Sequence, residues 1–400
     1  MRIHFQYPLI SGNPTRGLNH GHHDFNTAGT ELRINFALYG LPRSGGVRVV
    51  CEMANRLARR GHEVTITTPF PRDELTDPFK IEVPVNSPPR GRYVENSKLF
   101  DWTLRAGFSM ARRLGYKRTF DFDVVKKLAQ LMPECDANIA TFYVTAFAVH
   151  RSGKGTPFYY VQGYEPDFSD EVYSSKMAEE SYCLPLKIIT VSSWLRETLR
   201  AKYSRDAFVC LNGVDRDVFH PMEKTPREVR RVFCVGRSER RRGLPDLVDA
   251  MNIVHQEYPN VELTIASLAE HLPMTATEFP YRIVSSSTDE ALARLYSDSD
   301  VFVSPSWLEG FPLPPLEAMS CGTPVITTNV GTEDYAFNGV NSLVVPPQRP
   351  KELAKAILQL LRNDDLGEAL TQEGLRTASQ FSWEKTADCL EGILRHSLSS

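Results

Sequence analysis

The sequence has 400 residues, too many for one ordinary core, so two domains of roughly 100–200 residues each are the expectation. Hydrophobic residues make up 42% and charged residues 24%, the balance of a soluble globular chain, and a net charge of -3 lacks the basic signature of a nucleic-acid binder. No apolar run approaches the ~20 residues that a membrane-spanning helix needs, and MRIHFQYPLISGNP lacks the sustained apolar stretch of a signal peptide.

Residues 1–30 form an extension that reads as loop. Its His20, His22 and His23 would hold a metal only with further ligands in a fixed frame, so an exposed polar loop is the simpler reading. A regular pattern then begins. RINFAL (33–38) is a short apolar strand, GLPRSGG (40–46) a glycine-punctuated loop, and VRVVCEMANRLARRG a helix with Val50, Met53, Ala54 and Leu57 on one face. EVTITT (63–68) completes a strand–loop–helix–strand unit. Residues 104–118, LRAGFSMARRLGYKR, are basic with interleaved apolar positions. They suit peripheral contact with an anionic membrane face, although a solvated or core-packing helix is the commoner meaning of such a stretch.

Strands follow at ANIATF (137–142), PFYYVQ (157–162), LKIITVS (186–192) and AFVCL (207–211), with a helix at 192–203. The polar, proline-containing stretch NGVDRDVFHPMEKTP (212–226) marks the domain boundary. A second alternating series opens with RVFCVG (231–236) and the helix LPDLVDAMNIVHQEY. VELTIAS, YRIVSS, VFVSPS, PVITTN and NSLVVP are its further strands. STDEALARLY opens with a capping box from Ser287 to Glu290, and another helix runs from Pro350 to Arg362. The expected architecture is therefore α/β, two Rossmann-like, doubly wound parallel sheets in series. The seven cysteines are scattered without a C-x-x-C, which reads as buried thiols in a reducing compartment and points to a cytoplasmic enzyme.

Ligands of open parallel sheets sit beyond the carboxyl ends of the strands. After RVFCV comes GRSERRRG (236–243), directly before a helix whose N-terminus favours phosphate. Arg237 and Arg242 add full charges with bidentate geometry; a solvated basic loop is the alternative. After VFVSPS comes WLEGFPLPPLEAMSCGTPVITTN, where Glu309 and Glu317 stand eight residues apart. An ionised carboxylate accepts two hydrogen bonds from a sugar or ribose diol.

Here the sequence resembles glycosyltransferase family 4, a large group of retaining enzymes of the GT-B fold. SPSWLEGFPLPPLEAMSCGTPV is similar to its Glu-x7-Glu signature, and GLPRSGGVRVVCEMANRLARRGHEV to its N-terminal glycine loop and first helix. IITVSSWLRETL and LNGVDRDVFHP resemble its inter-domain approach, VGRSERRRG its phosphate-binding loop, and FSWEKTADCLEGIL (381–394) its terminal helix. The resemblance covers most of residues 33–395 in the right order. It implies two domains facing each other across a cleft. Residues 1–220 would bind the acceptor and 221–375 the nucleotide-sugar donor, with 376–400 a helix crossing back.

It also implies roles. Gly45 and Gly46 would let the backbone approach the donor diphosphate. Arg237 and Arg242 would neutralise that diphosphate as it leaves, Arg242 standing where relatives usually carry Lys. Glu309 would contact the donor sugar, Gly310 opens the adjacent turn, and the backbone of Phe311, Pro312 and Leu313 would line the same pocket. Glu317 would hold the ribose hydroxyls. Pro312 stands where many relatives carry Gly and has no N–H to offer. Many relatives carry a His after the strand matching PFYYVQ; this chain has Gln162, Gly163, Tyr164 and Glu165. Gln162 or Glu165 either orients sugar or acceptor, or belongs to a wall with no direct role, and a structural reading suits His150.

The implied reaction moves a hexose or deoxyhexose from a nucleotide-diphosphate sugar, a co-substrate and the only cofactor-like group, to a glycan, a lipid-linked or a small-molecule acceptor. The D-x-D triplets at 121–123, 215–217 and 298–300 are too short to signal a metal site, and no essential metal is expected. The rivals are a nucleotide-sugar epimerase or hydrolase on the same fold and a non-catalytic sugar-binding relative. Hydride chemistry does not fit, because neither SGNPTRG nor GLPRSGG matches G-x-G-x-x-G with its acidic follower.

Overall fold

The computed structural model describes residues 30–72, 79–89, 118–168, 172–269, 272–285 and 288–399. The extension 1–29, with His20, His22 and His23, lies outside the described residues, as do Ser287 and all but the last position of the basic stretch 104–118.

The first lobe alternates strands and helices in chain order: β1 (Arg33–Ala37), α1 (Gly45–Arg59), β2 (Glu63–Thr67), β3 (Val85–Asn86), α2 (Arg118–Leu131) and β4 (Ala137–Ala140). It continues through α3 (Tyr143–Ser152), β5 (Thr156–Val161), α4 (Val172–Tyr182), β6 (Lys187–Thr190), α5 (Ser193–Tyr203) and β7 (Phe208–Val209). The strands form one parallel sheet in the order β3-β2-β1-β4-β5-β6-β7. The order reverses at β1, which pairs with both β2 and β4, so α1 begins at the switch point where such sheets bind ligands. Gly45 and Gly46 are the first turn of α1 rather than part of a loop before it. Ser44 caps the helix, its Oγ accepting from Val47 N at 3.3 Å.

The second lobe holds β8 (Arg230–Val235), α6 (Leu244–Glu257), β9 (Val261–Ala266), β10 (Tyr281–Val284), α7 (Asp289–Ser297), β11 (Val301–Ser304), α8 (Leu313–Ser320), β12 (Val325–Thr328) and β13 (Leu343–Val345). Its parallel sheet runs β10-β9-β8-β11-β12-β13. The fold class read from the sequence is therefore the one observed. The start of α7 differs in detail, since Thr288 is the N-cap, its side chain accepting from Ala291 N.

Three helices follow: α9 (Pro350–Arg362), α10 (Asp364–Ala378) and α11 (Trp383–Ser399). The last packs on α1. Arg60, just past α1, ties Glu384 at 3.0 Å, Asp388 at 2.8 Å and Glu391 at 3.2 Å. Buried His62 accepts from Leu32 N through Nδ1 and faces Glu391 with Nε2 at 3.3 Å. Five of the seven cysteines are buried, Cys183 is exposed, Cys389 is half-buried, and all seven are free thiols.

One apolar cluster runs from the first lobe through Phe219, Tyr296, Phe233 and Phe302 onto one face of the second sheet, and a separate cluster fills that sheet's other face. The two lobes are thus joined by packed aromatic side chains as well as by the chain itself.

The segment after β5 folds back as a short 3-10 turn, Glu165–Phe168. Glu165 is buried, and its carboxyl accepts from Tyr143 N at 2.6 Å, at the first residue of α3. Burial pushes this carboxyl up to about 8, against the hydrogen bonds from Tyr159 and Tyr143 that pull it down. The raised value means that folding favours the protonated acid. Its contribution to stability is complete below the ordinary carboxylate range and is lost as pH rises through about 8. We expect Glu165→Gln, which keeps the acceptor for Tyr143, to flatten the fall in melting temperature between about pH 5 and about pH 9. Parallel wild-type and variant curves would show that this carboxyl does not titrate as described.

Candidate active site

A cavity of about 270 Å³ opens between the lobes. From the first lobe come Ser44, Gly45, Arg48 and Phe79; from the second come Arg237, the segment after β9 with exposed Leu268, Leu313 at the start of α8, and Glu317 within it. The backbone N–H groups in the first turn of α1 have no acceptor within their own helix and carry the positive end of its dipole, so this mouth attracts anions.

β8 ends at Val235 and leads into a loop with Arg237 and then a 3-10 turn, Arg240–Arg242, before α6. This short connection forces the cations together. Among the described residues Arg237 makes no hydrogen bond or ion pair, and burial and the neighbouring Arg242 charge both disfavour its charged form. Arg242 is instead paired with Glu309, and its Nε is buried without a partner. Burial pushes the Glu309 carboxyl upward, but the charge and hydrogen bond of Arg242 outweigh it and hold the group below its usual range. Arg241 faces the first lobe, its guanidinium 4.6 Å from the centre of the Phe168 ring.

Gly310, beside Glu309, lies directly against the end of β5. A Cβ there would stand 2.1 Å from the Gln162 carbonyl oxygen, so only glycine admits this contact between lobes. The Gln162 side chain fills the space beside Gly46, whose added Cβ would lie 3.3 Å from Oε1, and that oxygen is buried without a partner. Gln162 thus sits where the glycine turn of α1, the end of β5 and the Glu309 turn converge. Glu165 does not line the cavity and is committed to α3, while His150 lies exposed in the last turn of that helix. Phe311 turns its ring into the core against Tyr335, and the Pro312 carbonyl accepts from the Tyr335 hydroxyl at 2.7 Å. Leu313 supplies the one backbone N–H in the sequence Pro312–Pro315.

Glu317 is buried, one oxygen accepting from the Tyr296 hydroxyl at 2.9 Å and the other from Arg48 at 3.2 Å. Arg48 also pairs with Asp289 at 2.5 Å, and Arg43 stands 3.8 Å from the same carboxylate. Sequence reasoning named Glu317 but missed Arg48, Tyr296 and Asp289. The available signal was a charged residue inside the apolar run Val47-Arg48-Val49-Val50.

The 298–300 triplet is occupied by arginines. Asp298 pairs with Arg231 at 2.7 Å, and Asp300 with Arg227 at 2.8 Å and Arg230 at 3.3 Å. These carboxylates fasten the start of β8 to the α7–β11 connection.

Comparison with known proteins matches both halves of the chain. A model described as Glycosyltransferase Family 4 matches residues 43–218, and one described as Glycosyl transferases group 1 matches residues 229–363. An uncharacterized glycosyltransferase of Methanocaldococcus jannaschii is 25% identical over 52% of this chain and 58% of its own length. The glycogen synthase of Mycobacterium tuberculosis is 26% identical over 86% of this chain and 89% of its own. Among solved structures, the sucrose-phosphate synthase of Thermosynechococcus elongatus superposes with a TM-score of 0.71 at 21% identity, over 92% of this chain and 99% of that one. The HepE protein of Anabaena, solved with UDP-glucose, superposes at 0.66 and 17% identity, over 92% and 100%. With a Glycosyltransferase Family 4 model matched on the first lobe, a Glycosyl transferases group 1 model on the second, and the two-lobed fold of these structures, the chain belongs to the family 4 and group 1 glycosyltransferases of GT-B fold.

Proposed function

We propose that the chain transfers a hexose or deoxyhexose from a nucleotide-diphosphate sugar to a glycan, lipid-linked or small-molecule acceptor, with retention of configuration. The observation that carries this reading is the half-buried guanidinium of Arg237, which makes no hydrogen bond or ion pair among the described residues, stands beside Arg242 and lines a cavity that also meets the N-terminus of α1. A diphosphate would neutralise it.

As the donor enters, its diphosphate shares Arg242 with Glu309 and leaves that carboxylate able to accept from sugar hydroxyls. Negative charge grows on the diphosphate as the anomeric C–O bond breaks, and the two preorganised guanidiniums stabilise it. The departing phosphate oxygen takes the proton of the attacking hydroxyl, which arrives on the same face. The unpartnered Gln162 Oε1 accepts a hydroxyl of the sugar or acceptor, and first-lobe loops hold the acceptor. A hexose donor would parallel the UDP-glucose held by the Anabaena structure. Charge compensation by arginine makes a divalent ion unnecessary in this reading. No helix among the described residues is long and apolar enough to cross a membrane, and we assign a lipid-linked acceptor, if used, to peripheral contact through 104–118 on the cytoplasmic side.

A thermal-shift screen of nucleotide sugars, followed by turnover with candidate acceptors, tests the reading. We expect Arg237→Met and Glu309→Ala each to lower turnover by about tenfold or more, the worth of one charge-assisted contact in the transition state, while leaving the melting curve cooperative. Near-normal turnover in either variant would remove that residue from the site, and donor consumption without any acceptor would favour the hydrolase alternative. Activity should persist in excess chelator; loss restored by magnesium would overturn the metal-free mechanism.

A further inference from the structure

Arg48 is a cation of the first lobe buried in contacts with the second. It lies one turn into α1 on the helix's buried face, and its side chain is only 10% exposed. Its guanidinium stands 5.3 Å from the Phe219 ring centre and 6.0 Å from that of Phe79. From this slot it donates to Glu317 and Asp289, two carboxylates of the opposite lobe that both border the cavity. One guanidinium nitrogen of Arg48 holds one Glu317 oxygen while the other nitrogen holds Asp289, and the Tyr296 hydroxyl holds the second Glu317 oxygen. Each carboxylate oxygen has accepted one hydrogen bond and retains a second acceptor position.

We propose that Arg48 is the positioning residue of the donor's ribose subsite, reaching across the cleft to hold Glu317 as a double acceptor for the ribose 2′- and 3′-hydroxyls. This rests on the donor-site reading above. Its physical reason is that a carboxyl buried among apolar groups tends to take up a proton, and a protonated carboxyl cannot accept equally from a diol. Burial does push Glu317 upward, and the charge of Arg48 is the largest influence holding it down. The other groups facing it are Tyr296 and Asp289 of α7, Arg237 after β8, and Cys321 just past α8. Asp289 acts against ionisation of Glu317, so the net effect of the cluster depends on Arg48. The arrangement also makes ribose recognition depend on the lobes being together, because the cation and the carboxylate belong to different sheets.

The test is calorimetric binding of UDP, GDP and ADP, each compared with its 2′-deoxy counterpart, to wild type, Arg48→Met and Arg48→Lys. Wild type should prefer the ribonucleotide, with little change between about pH 6.5 and about pH 8.5. R48M should bind it about tenfold or more weakly near neutrality, lose less affinity for the deoxy form, which keeps only the 3′-hydroxyl, and regain affinity as pH rises. R48K keeps the charge but not the fork. It should stay insensitive to pH while losing part of the ribose preference, and it carries the test if R48M does not fold. Equal loss toward ribo- and deoxyribonucleotides, or unchanged affinity and preference in both variants, overturns the assignment. If wild type binds none of the three nucleotides, the donor-site reading itself fails and takes this one with it.

Discussion

Two half-buried guanidiniums side by side repel each other, and among the described residues only one of them is paired with a carboxylate. Arg242 has Glu309; Arg237 has no acceptor among the described residues. The connection from β8 through a single 3-10 turn to α6 leaves no length in which the two could separate. Positive charge left in a half-buried cleft is costly, and in the proposed donor site a diphosphate would offset that cost. Loss of Glu309 would worsen the imbalance, since removing one partner of a buried pair typically costs about 3–5 kcal/mol.

The same constraint explains why the lobes meet so closely here. Gly310 rests on the carbonyl of Gln162, and Gly46 leaves room for that residue's side chain, so the Glu309 turn is pressed against the first lobe. Farther out, Ser193 N donates to Asp334 at 2.9 Å, and Arg241 covers Phe168. The aromatic cluster through Phe219 and Tyr296 supplies the apolar joint that keeps the two sheets in register.

Most of the architecture was legible because its strands are short apolar runs with polar turns at regular spacing. β3 was not, for it is two residues long inside VPVNSPP and is held by pairing with β2 rather than by its own pattern. α10 also escaped, since its first turn, DDLG, reads as a loop until Asn363 is seen capping Leu366. Among site residues, Arg237, Arg242, Glu309 and Glu317 were visible as charges placed just after strands. Glu165 followed the same logic, but its carboxyl turns inward to α3. Arg48 was hidden for the opposite reason. It sits in the middle of a helix, and only the facing of two sheets reveals that its neighbours are Asp289 and Glu317.

The prolines near the Glu309 turn sharpen the need for arginine. Helix N-termini hold phosphate with free N–H groups, yet Pro312, Pro314 and Pro315 leave Leu313 as the lone backbone donor entering α8. In the proposed donor site the charge of a diphosphate would therefore fall to the first turn of α1 and to side chains. A lysine at 242 would offer one compact charge to either Glu309 or phosphate. The planar fork of Arg242 can hold the carboxylate through one nitrogen and present its remaining donors elsewhere, and its Nε is already buried and unpaired. An arginine at this position thus suits the proposed reading, in which a sugar-binding carboxylate and a leaving diphosphate would share one cation, with a second cation, Arg237, beside it.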